Sequence, residues 1–277
     1  MKTFQLPSGQ KLPAFGMGTW RMGENAQRRQ QEIAALRRGM ELGVTLIDTA
    51  EMYGEGGAEE VVAEAVGDRR SQVFLVSKVY PHNASKQGAI AACERSLKRL
   101  KTDILDLYLL HWRGSVPLAE TLDAFETLKQ AGKIQDYGVS NFDADDMKEA
   151  IALSGGEAIA TNQVLYNLTR RGIELNLLPW CEKQAIPIMA YSPIEQGRLL
   201  KDQTLEKIAT AHEMSAAQVA IAWLLHQDNV VVIPKASRIE HVEQNYAAIN
   251  LKLSVEELEM LDRAFPQPAR PIPLEML

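Results

Sequence analysis

Short apolar runs alternate along the chain with longer segments in which apolar residues recur every three or four positions. The runs are rich in Val, Ile and Leu, as in parallel strands buried on both faces, whereas the longer segments have the spacing of amphipathic helices. The predicted strands lie at residues 15–18, 44–47, 73–77, 105–110, 135–139, 160–163, 187–190 and 230–233. Eight strands alternating with helices are the number that closes a parallel α/β barrel.

Further elements flank this alternating region. Residues 4–6 and 11–15 surround a Pro-Ser-Gly-Gln turn and predict a β-hairpin, which we expect to cap the bottom of the barrel. Two extra C-terminal helices are predicted after the last strand, near residues 238–249 and 254–264. A proline-rich tail, residues 266–277, is expected to fold over the barrel mouth.

Composition narrows the possible functions. The chain has 277 residues, 46% hydrophobic and 24% charged, and no linker divides it, so residues 1–277 are predicted to form a single domain. A net charge of -6 and a pI near 5.5 give no electrostatic reason to bind nucleic acid or an anionic membrane. Cys93 and Cys181 lie apart in helical segments, and the first residues lack an apolar leader; both features favour a cytoplasmic protein.

Four polar residues lie at or just after the ends of predicted strands: Asp48, Tyr53, Lys78 and His111. The carboxyl ends of parallel strands meet on one rim of a barrel, so we expect these side chains to face one another. A phenol is a poor acid at neutral pH unless a cation stabilises its anion, and Lys78, paired with Asp48, can be that cation. Neutral His111 would then orient a carbonyl oxygen while Tyr53 protonates it. With no redox metal or activated thiol in the pattern, reduction of that carbonyl requires hydride from a nicotinamide cofactor.

Seven motifs occur in a fixed order along nearly the whole chain: IDTAEMYG, LVSKVY, LLHW, YGVSNF, TNQVLYN, AYSP and VVIPKAS. In this order they resemble the aldo-keto reductase family, in particular bacterial-type aldehyde or methylglyoxal reductases. The resemblance implies a (β/α)8 TIM barrel, NADPH as the usual hydride donor, and a monomer. It also implies that Asp48, Tyr53, Lys78 and His111 form a catalytic tetrad that reduces aldehydes and ketones to alcohols.

The candidate residues for the nicotinamide half of the cofactor follow the later strands. Ser140, Asn141 and Gln163 offer hydroxyl and amide groups that suit a carboxamide, and the resemblance assigns them this contact. It also implies that Tyr191 stacks on the nicotinamide ring. The matching family loop holds a pyrophosphate, and its candidates here are Ser192, Pro193, Gly197 and Leu199.

The candidates for the phosphate and adenine of NADPH follow the last strand and are Lys235, Ser237, Arg238, Gln244 and Asn245. The first three suit a 2′-phosphate through charge-assisted hydrogen bonds, and the resemblance places adenine near the last two. The chain departs from the family pattern at two positions. Ala236 stands where a serine or threonine is usual, and His241 stands where an arginine is usual. NADPH is therefore the predicted cofactor, with NADH left possible.

Trp20, in the family motif GTW at residues 18–20, and Met52, Tyr80 and Trp112, in the motifs above, are predicted to wall an apolar pocket for a small carbonyl substrate. By family analogy, the short loop at residues 113–117 suggests an open pocket that accepts small or unbranched aldehydes such as methylglyoxal. The acidic residues of the segment 51–60 match no metal-ligand spacing, so no metal site is predicted.

Two other functions remain open at this stage. Some relatives of this barrel serve as regulatory subunits, so the alternative is a protein that senses the nicotinamide cofactor and has only vestigial activity. Steady turnover distinguishes an enzyme from such a sensor. A metal-dependent barrel hydrolase or isomerase is a third hypothesis, for which the sequence offers no set of ligands.

Overall fold

The computed structural model describes residues 2–277 and contains a barrel of parallel strands. The strands are β1 (Thr3–Gln5), β2 (Lys11–Pro13), β3 (Gly16–Gly18), β4 (Leu46–Asp48), β5 (Phe74–Val79), β6 (Leu105–Leu110), β7 (Ile134–Ser140), β8 (Ile159–Leu165), β9 (Ile188–Tyr191) and β10 (Val230–Val232). Strands β3 to β10 form an eight-stranded sheet in which each strand pairs with the next in chain order, and β1 and β2 form a separate antiparallel hairpin. The predicted fold and its N-terminal hairpin are confirmed.

Backbone contacts between the first and last strands close the barrel. Gly18 at the end of β3 forms a parallel bridge with Lys235, just beyond β10. The Gly18 N–H donates a hydrogen bond to the carbonyl oxygen of Pro234 at 3.0 Å. A Cβ atom at position 18 would lie only 3.0 Å from the carbonyl oxygen of Ile233, so glycine permits this close approach.

Helices surround the barrel and extend beyond it. They are α1 (Arg29–Glu41), α2 (Gly57–Val66), α3 (Lys86–Leu100), α4 (Leu118–Gln130), α5 (Ala144–Ala152), α6 (Leu177–Lys183), α7 (Gln203–Ala211), α8 (Ala216–His226), α9 (Ile239–Ala247) and α10 (Val255–Ala264). Asp143, Ser215 and Ser254 form capping boxes that satisfy the first backbone N–H groups of α5, α8 and α10. The two predicted C-terminal helices are α9 and α10.

Successive strand residues point alternately into two apolar regions. In β6, Leu107 and Leu109 belong to the cluster inside the barrel, whereas Tyr108 and Leu110 belong to the larger cluster between strands and helices. The inner cluster is continuous with apolar residues of the hairpin. Because the barrel interior is packed, any polar side chain that faces inward must lie at one of its two ends.

The hairpin closes the bottom of the barrel, as the sequence predicts. Leu6 and Leu12 pack into the inner cluster. Between them, the backbone N–H and the hydroxyl of Ser8 both donate hydrogen bonds to the carboxylate of Asp136, a fully buried residue of β7. The hairpin is therefore joined to the barrel by a polar contact as well as by apolar packing, and the opposite rim is left for a site.

Both cysteines are free and buried, Cys93 in α3 and Cys181 in α6. Burial raises the pKa of each thiol to about 12, so neither is an activated nucleophile. Among residues 2–277, no helix combines the length and the apolar character needed to cross a membrane.

Candidate active site

The two-residue repeat of the strands brings polar side chains into the barrel mouth. Asp48 lies two residues after the inward-facing Leu46 of β4, and Lys78 lies two residues after the inward-facing Val76 of β5. The same step of two residues from the inward face of β6 leads to His111. A carboxylate, an ammonium and an imidazole are thus directed to one rim, as predicted.

Lys78 holds the centre of this group. Its Nζ atom donates to Asp48 Oδ2 at 2.8 Å, to the carbonyl oxygen of Thr49 at 2.9 Å and to the hydroxyl of Tyr53 at 3.2 Å. All three ammonium protons are therefore engaged. Because the Tyr53 oxygen accepts from Lys78, its own hydrogen is free to point into the space above the site.

The Asp48–Lys78 ion pair is almost completely withdrawn from water, with side-chain exposures of 3% and 0%. Burial lowers the pKa of Lys78, but the charge of Asp48 and the hydrogen bonds outweigh that effect, so the pKa is raised and the ammonium stays charged. The second oxygen of Asp48 accepts a hydrogen bond from Gln163 Nε2 at 2.8 Å. The carboxylate is thereby fixed on both sides.

The acidity of Tyr53 differs from the sequence-based expectation. Burial raises its pKa above 10.0, and the neighbouring charge of Lys78, which lowers the pKa as expected, only partly compensates. The phenol is therefore protonated at neutral pH. It can still donate a proton to an alkoxide, because an alkoxide is a much stronger base than a phenolate.

His111 is neutral, as the sequence predicts. Burial, with a smaller contribution from Lys78, lowers its pKa well below 6.5. Its Nδ1 atom is buried and has no hydrogen-bond partner among residues 2–277. A proton on Nδ1 would be an unsatisfied buried donor, so the favoured tautomer carries its hydrogen on Nε2, where it can be donated to an oxygen atom.

A cavity of about 570 Å³ opens above the tetrad. Fourteen of the residues predicted from the sequence line it, namely Trp20, Asp48, Met52, Tyr53, His111, Trp112, Ser140, Asn141, Gln163, Tyr191, Ser192, Pro193, Gly197 and Lys235. Lys78 lies directly beneath the cavity floor. The predicted residues that do not line the cavity are Tyr80, Leu199, Ser237, Arg238, Gln244 and Asn245.

An amide cluster forms one side of the cavity. Asn141 follows β7 with a left-handed φ of 59°, which asparagine tolerates. Its Nδ2 atom donates to the carbonyl oxygen of His111 at 3.1 Å, and its Oδ1 atom accepts from the hydroxyl of Tyr191 at 2.9 Å. The amide of Asn141 is therefore already engaged within the protein. The Oε1 atom of Gln163 accepts no hydrogen bond from residues 2–277, which leaves it available to a ligand.

The far end of the cavity is cationic. Lys235 is half-buried, donates to the hydroxyl of Ser237 at 3.2 Å, and has a pKa lowered by burial and by the nearby Arg28 and Arg21. Arg21 also lines the cavity. Arg238 is exposed at the start of α9, beyond the lining. Two arginines that were not predicted, Arg21 and Arg28, therefore add positive charge near Lys235. Both precede α1 in the chain.

Aromatic side chains form the opposite wall. The Trp20 ring meets the Tyr53 ring edge to face at 5.0 Å, and the His111 and Trp112 rings lie 5.0 Å apart. The Tyr80 ring contacts the Trp112 ring edge to face at 5.3 Å, and Tyr80 is not among the residues that line the cavity. Its predicted place in the pocket wall stays a prediction.

Eight residues that line the cavity were not named individually, and they are Gly18, Thr19, Arg21, Ile194, Gln196, Ile233, Met276 and Leu277. Two of them, Ile194 and Gln196, belong to the loop predicted to hold the pyrophosphate. Most of the eight lie next to predicted residues in the sequence, so the motifs GTW, AYSP and VVIPKAS could have indicated them. Met276 and Leu277 lie in the tail, which does reach the barrel mouth as expected, although no motif marked these two side chains.

The acidic residues near the tetrad have structural partners. Glu51 accepts the Tyr80 backbone N–H at 2.8 Å, and the fully buried Glu59 accepts from the hydroxyl of Ser77 and from Nε of Arg99, both at 2.6 Å. In the part of the chain that the structure describes, no group of three or more His, Cys, Asp or Glu side chains is placed to hold a metal ion.

Comparison with known proteins agrees with this geometry. The chain is 56% identical over its whole length to the methylglyoxal reductase YeaE of Escherichia coli K12, of which it covers 99%. It is 33% identical to the glyoxal reductase of Bacillus subtilis, with 94% of this chain and 91% of that protein aligned.

A solved structure shares the fold closely. The aldo/keto reductase from Klebsiella pneumoniae, crystallised in complex with NADP and acetate, has a TM-score of 0.97 and 51% sequence identity, with 100% of this chain and 99% of that chain covered. The family model for aldo/keto reductases matches residues 14–265. The chain therefore belongs to the aldo/keto reductase family of oxidoreductases, which confirms the family expected from its motifs.

Proposed function

We propose that this protein reduces aldehydes and ketones to alcohols with NADPH, and that methylglyoxal is among its substrates. The observation that carries the proposal is the Tyr53 hydroxyl, held 3.2 Å from Lys78 Nζ at the floor of the cavity with His111 beside it. The relative at 56% identity is a methylglyoxal reductase, and the Klebsiella pneumoniae structure contains NADP.

The tetrad divides the work among four side chains. Nε2 of neutral His111 donates to the substrate carbonyl oxygen and orients it, and the Tyr53 hydroxyl delivers the proton to that oxygen. Lys78 stabilises the phenolate that remains, and Asp48 keeps Lys78 charged and in place. When bound, the reduced nicotinamide supplies the hydride that the carbonyl carbon accepts.

The cavity residues suit a nicotinamide dinucleotide. The available Oε1 atom of Gln163 and the hydroxyl of Ser140 can meet a carboxamide, and Tyr191 offers a ring face for stacking. The loop that contains Ser192, Pro193, Gly197 and Leu199 would bind the pyrophosphate. Lys235 and Ser237 would hold the 2′-phosphate.

Arg21, which lines the cavity, and Arg28 lie close enough to Lys235 to lower its pKa, although the nearby Glu32 and Glu24 act in the opposite direction. The two arginines favour NADPH over NADH although residue 241 is a histidine. Arg238, Gln244 and Asn245 lie outside the cavity lining, and we assign them to the more exposed adenosine end of the cofactor. Trp20, Met52 and Trp112 would wall the carbonyl subsite.

The test compares wild type with Tyr53→Phe and Tyr80→Phe. Removal of the Tyr53 hydroxyl should lower kcat by at least about 100-fold, because general acid catalysis contributes about 10²–10⁴. The affinity for NADPH, measured by fluorescence titration, should change little. Tyr80→Phe changes a residue that is not among those that line the cavity, so it is the matched control and should keep near-wild-type turnover of methylglyoxal.

Two outcomes would reject the proposal. Full turnover in Tyr53→Phe would exclude Tyr53 as the acid. A wild type that binds NADPH but turns over neither methylglyoxal nor aromatic aldehydes would favour the sensing alternative.

We also propose that the protein acts as a monomer in the cytoplasm. The free, buried thiols of Cys93 and Cys181 agree with a reducing compartment. Light scattering after size-exclusion chromatography tests the monomer: a mass near 30.8 kDa supports it, and a multiple of that mass rejects it.

A further inference from the structure

Arg170 joins two segments that both contribute residues to the lining of the cavity. It follows β8, and its Nε and Nη2 atoms donate to Glu195 Oε1 at 3.2 and 2.9 Å. Its Nη1 atom donates to Glu275 in the tail. Glu195 belongs to the segment 192–199, here called the cofactor loop, and Glu275 directly precedes Met276 and Leu277 of the cavity wall. One guanidinium therefore contacts both the cofactor loop and the tail.

The cofactor loop depends on Glu195 for its shape. Ser192, Glu195 and Gln196 have left-handed φ values of 49°, 49° and 53°, which residues other than glycine rarely adopt. The Glu195 side chain is only 4% exposed and accepts hydrogen bonds from Arg170, from Arg198 and from Asn167 Nδ2 at 2.8 Å. A strained loop with a buried carboxylate at its centre requires these partners to keep its conformation.

The charge of Glu195 is also fixed by these contacts. Burial raises its pKa, but the hydrogen bonds from Arg170, Arg198 and Asn167 outweigh that effect, so the pKa is lowered and the carboxylate is ionised. The contact with Arg170 is therefore a full ion pair at neutral pH.

The tail is attached at its other end by the neighbouring arginine. Arg171 donates to the carbonyl oxygen of Phe265 at 2.7 Å and to Asp262 at 2.8 Å. At the next residue, a Cβ on Gly172 would lie 2.8 Å from Ile272, so the tail passes close to this backbone. The attachment by Arg171 involves no residue of the cofactor loop, whereas the attachment by Arg170 does.

We propose that Arg170 is a positioning residue that couples cofactor binding to the substrate wall. Through Glu195 it stabilises the loop assigned to the cofactor, and through Glu275 it holds the segment whose Met276 and Leu277 line the cavity. The inference rests on the proposed function, because it treats segment 192–199 as the cofactor-binding loop. Thermodynamic linkage then requires that a change in the tail alters the affinity for the cofactor as well.

The test is Glu275→Gln, which removes the one negative side-chain charge of the tail, at a position that contacts Arg170 and not the cofactor loop. We expect the Kd for NADPH and the KM for methylglyoxal both to rise about threefold or more, with kcat nearly unchanged because the tetrad is untouched. Asp262→Asn is the matched control, since it loses an ion pair to Arg171 at the other attachment, and it should leave the Kd for NADPH unchanged. Calorimetric melting of each variant separates coupling from loss of stability.

A double-mutant cycle tests whether Arg170 is the residue that transmits the effect of the tail to the cofactor. If Arg170 transmits the effect, Glu275→Gln should have no further effect on the Kd for NADPH in an Arg170→Ala background. In that background Glu195 keeps Arg198 and Asn167 as partners, so the loop retains an anchor.

Three results would overturn the proposal. A Glu275→Gln variant with altered KM but unchanged Kd for NADPH would show that the tail acts alone, and the proposed function would stand. An effect on Kd that persists without Arg170 would assign the coupling to another contact. A wild type that binds no NADPH would reject both this inference and the proposed function.

Discussion

The barrel rim contains two buried carboxylates paired with cations, and they differ in where their partners come from. Asp48 and Lys78 lie on adjacent strands, with side-chain exposures of 3% and 0%. Glu195 and Arg170 lie on loops, and the arginine side chain is 33% exposed. The first pair is fixed by two hydrogen-bonded strands, whereas the second depends on side-chain contacts between loops. In the proposed mechanism, the chemistry uses the pair held by the sheet, and the contacts with the cofactor depend on the pair held by loops.

Of the substitutions that test this comparison, Lys78→Met should have the largest effect on stability and on turnover. It leaves Asp48 as a buried carboxylate without its cation, which typically costs about 3–5 kcal/mol of unfolding free energy. It also removes the charge that lowers the pKa of Tyr53, so kcat should fall by at least about 100-fold. Urea denaturation and NADPH-linked turnover are the measurements.

Asp48→Asn/Lys78→Met is the control for this prediction. The double variant removes both charges, so it should recover part of the lost stability but none of the activity. A single Lys78→Met variant as stable as wild type would show that the buried pair does not need both partners.

Glu195→Gln should have a smaller effect and of another kind. Hydrogen bonds to a charged group contribute about 1.5–3 kcal/mol, and here most of that energy shapes the cofactor loop. We expect weaker NADPH binding with kcat retained. Arg198→Ala removes only the most exposed partner of Glu195, so it should lower the free energy of unfolding by less than about 1 kcal/mol. If Glu195→Gln instead lost turnover with unchanged cofactor affinity, the division between the two pairs would be wrong.

The pH dependence of the free energy of unfolding distinguishes the tetrad from the Glu195 site, and we expect it to show the smallest of these effects. The folded-state pKa of His111 is lowered, so below about 6.5 only the unfolded chain takes up this proton. The corresponding stability is complete above that pH and is lost as pH falls, by at most about 1.4 kcal/mol per pH unit. In His111→Gln, the free energy of unfolding should therefore depend less on pH between about pH 6.5 and 5.

The pKa of Glu195 is lowered as well, but its contribution is lost only as pH falls below about 4.5. Denaturation at a series of pH values tests both windows. His226→Gln, at the exposed end of α8, controls for removing a histidine as such. An unchanged slope in His111→Gln would contradict the depressed pKa.

The strands and the tetrad were predictable because they follow from local spacing. A period of two and short aliphatic runs place Asp48, Lys78 and His111 on one rim without knowledge of any distant contact. The motif order then identified the family. The predicted strand ends differ from the observed ones by at most two residues; β4, for example, begins at Leu46 rather than at residue 44.

The contacts between distant segments were not predictable in the same way. Glu59 fits the acidic first turn of α2, yet it is fully buried against Ser77 and Arg99. Tyr80 lies in a tetrad motif but contacts Trp112 and is not among the residues that line the cavity. Burial of such residues depends on which element packs against them, and no local pattern records it. Arg170 belongs to this group, because its two partners are 25 and 105 residues away.

The adjacent arginines 170 and 171 also bear on protein engineering. Because they hold the tail near Phe265 and at Glu275, residues 266–277 form a module with defined attachment points. A replacement tail that keeps a carboxylate at position 275 and a side chain at position 272 that fits against Gly172 can carry new side chains at 276 and 277 into the cavity. Libraries that vary these two positions would then explore substrate range while the barrel and its hydrogen-bonded tetrad stay constant.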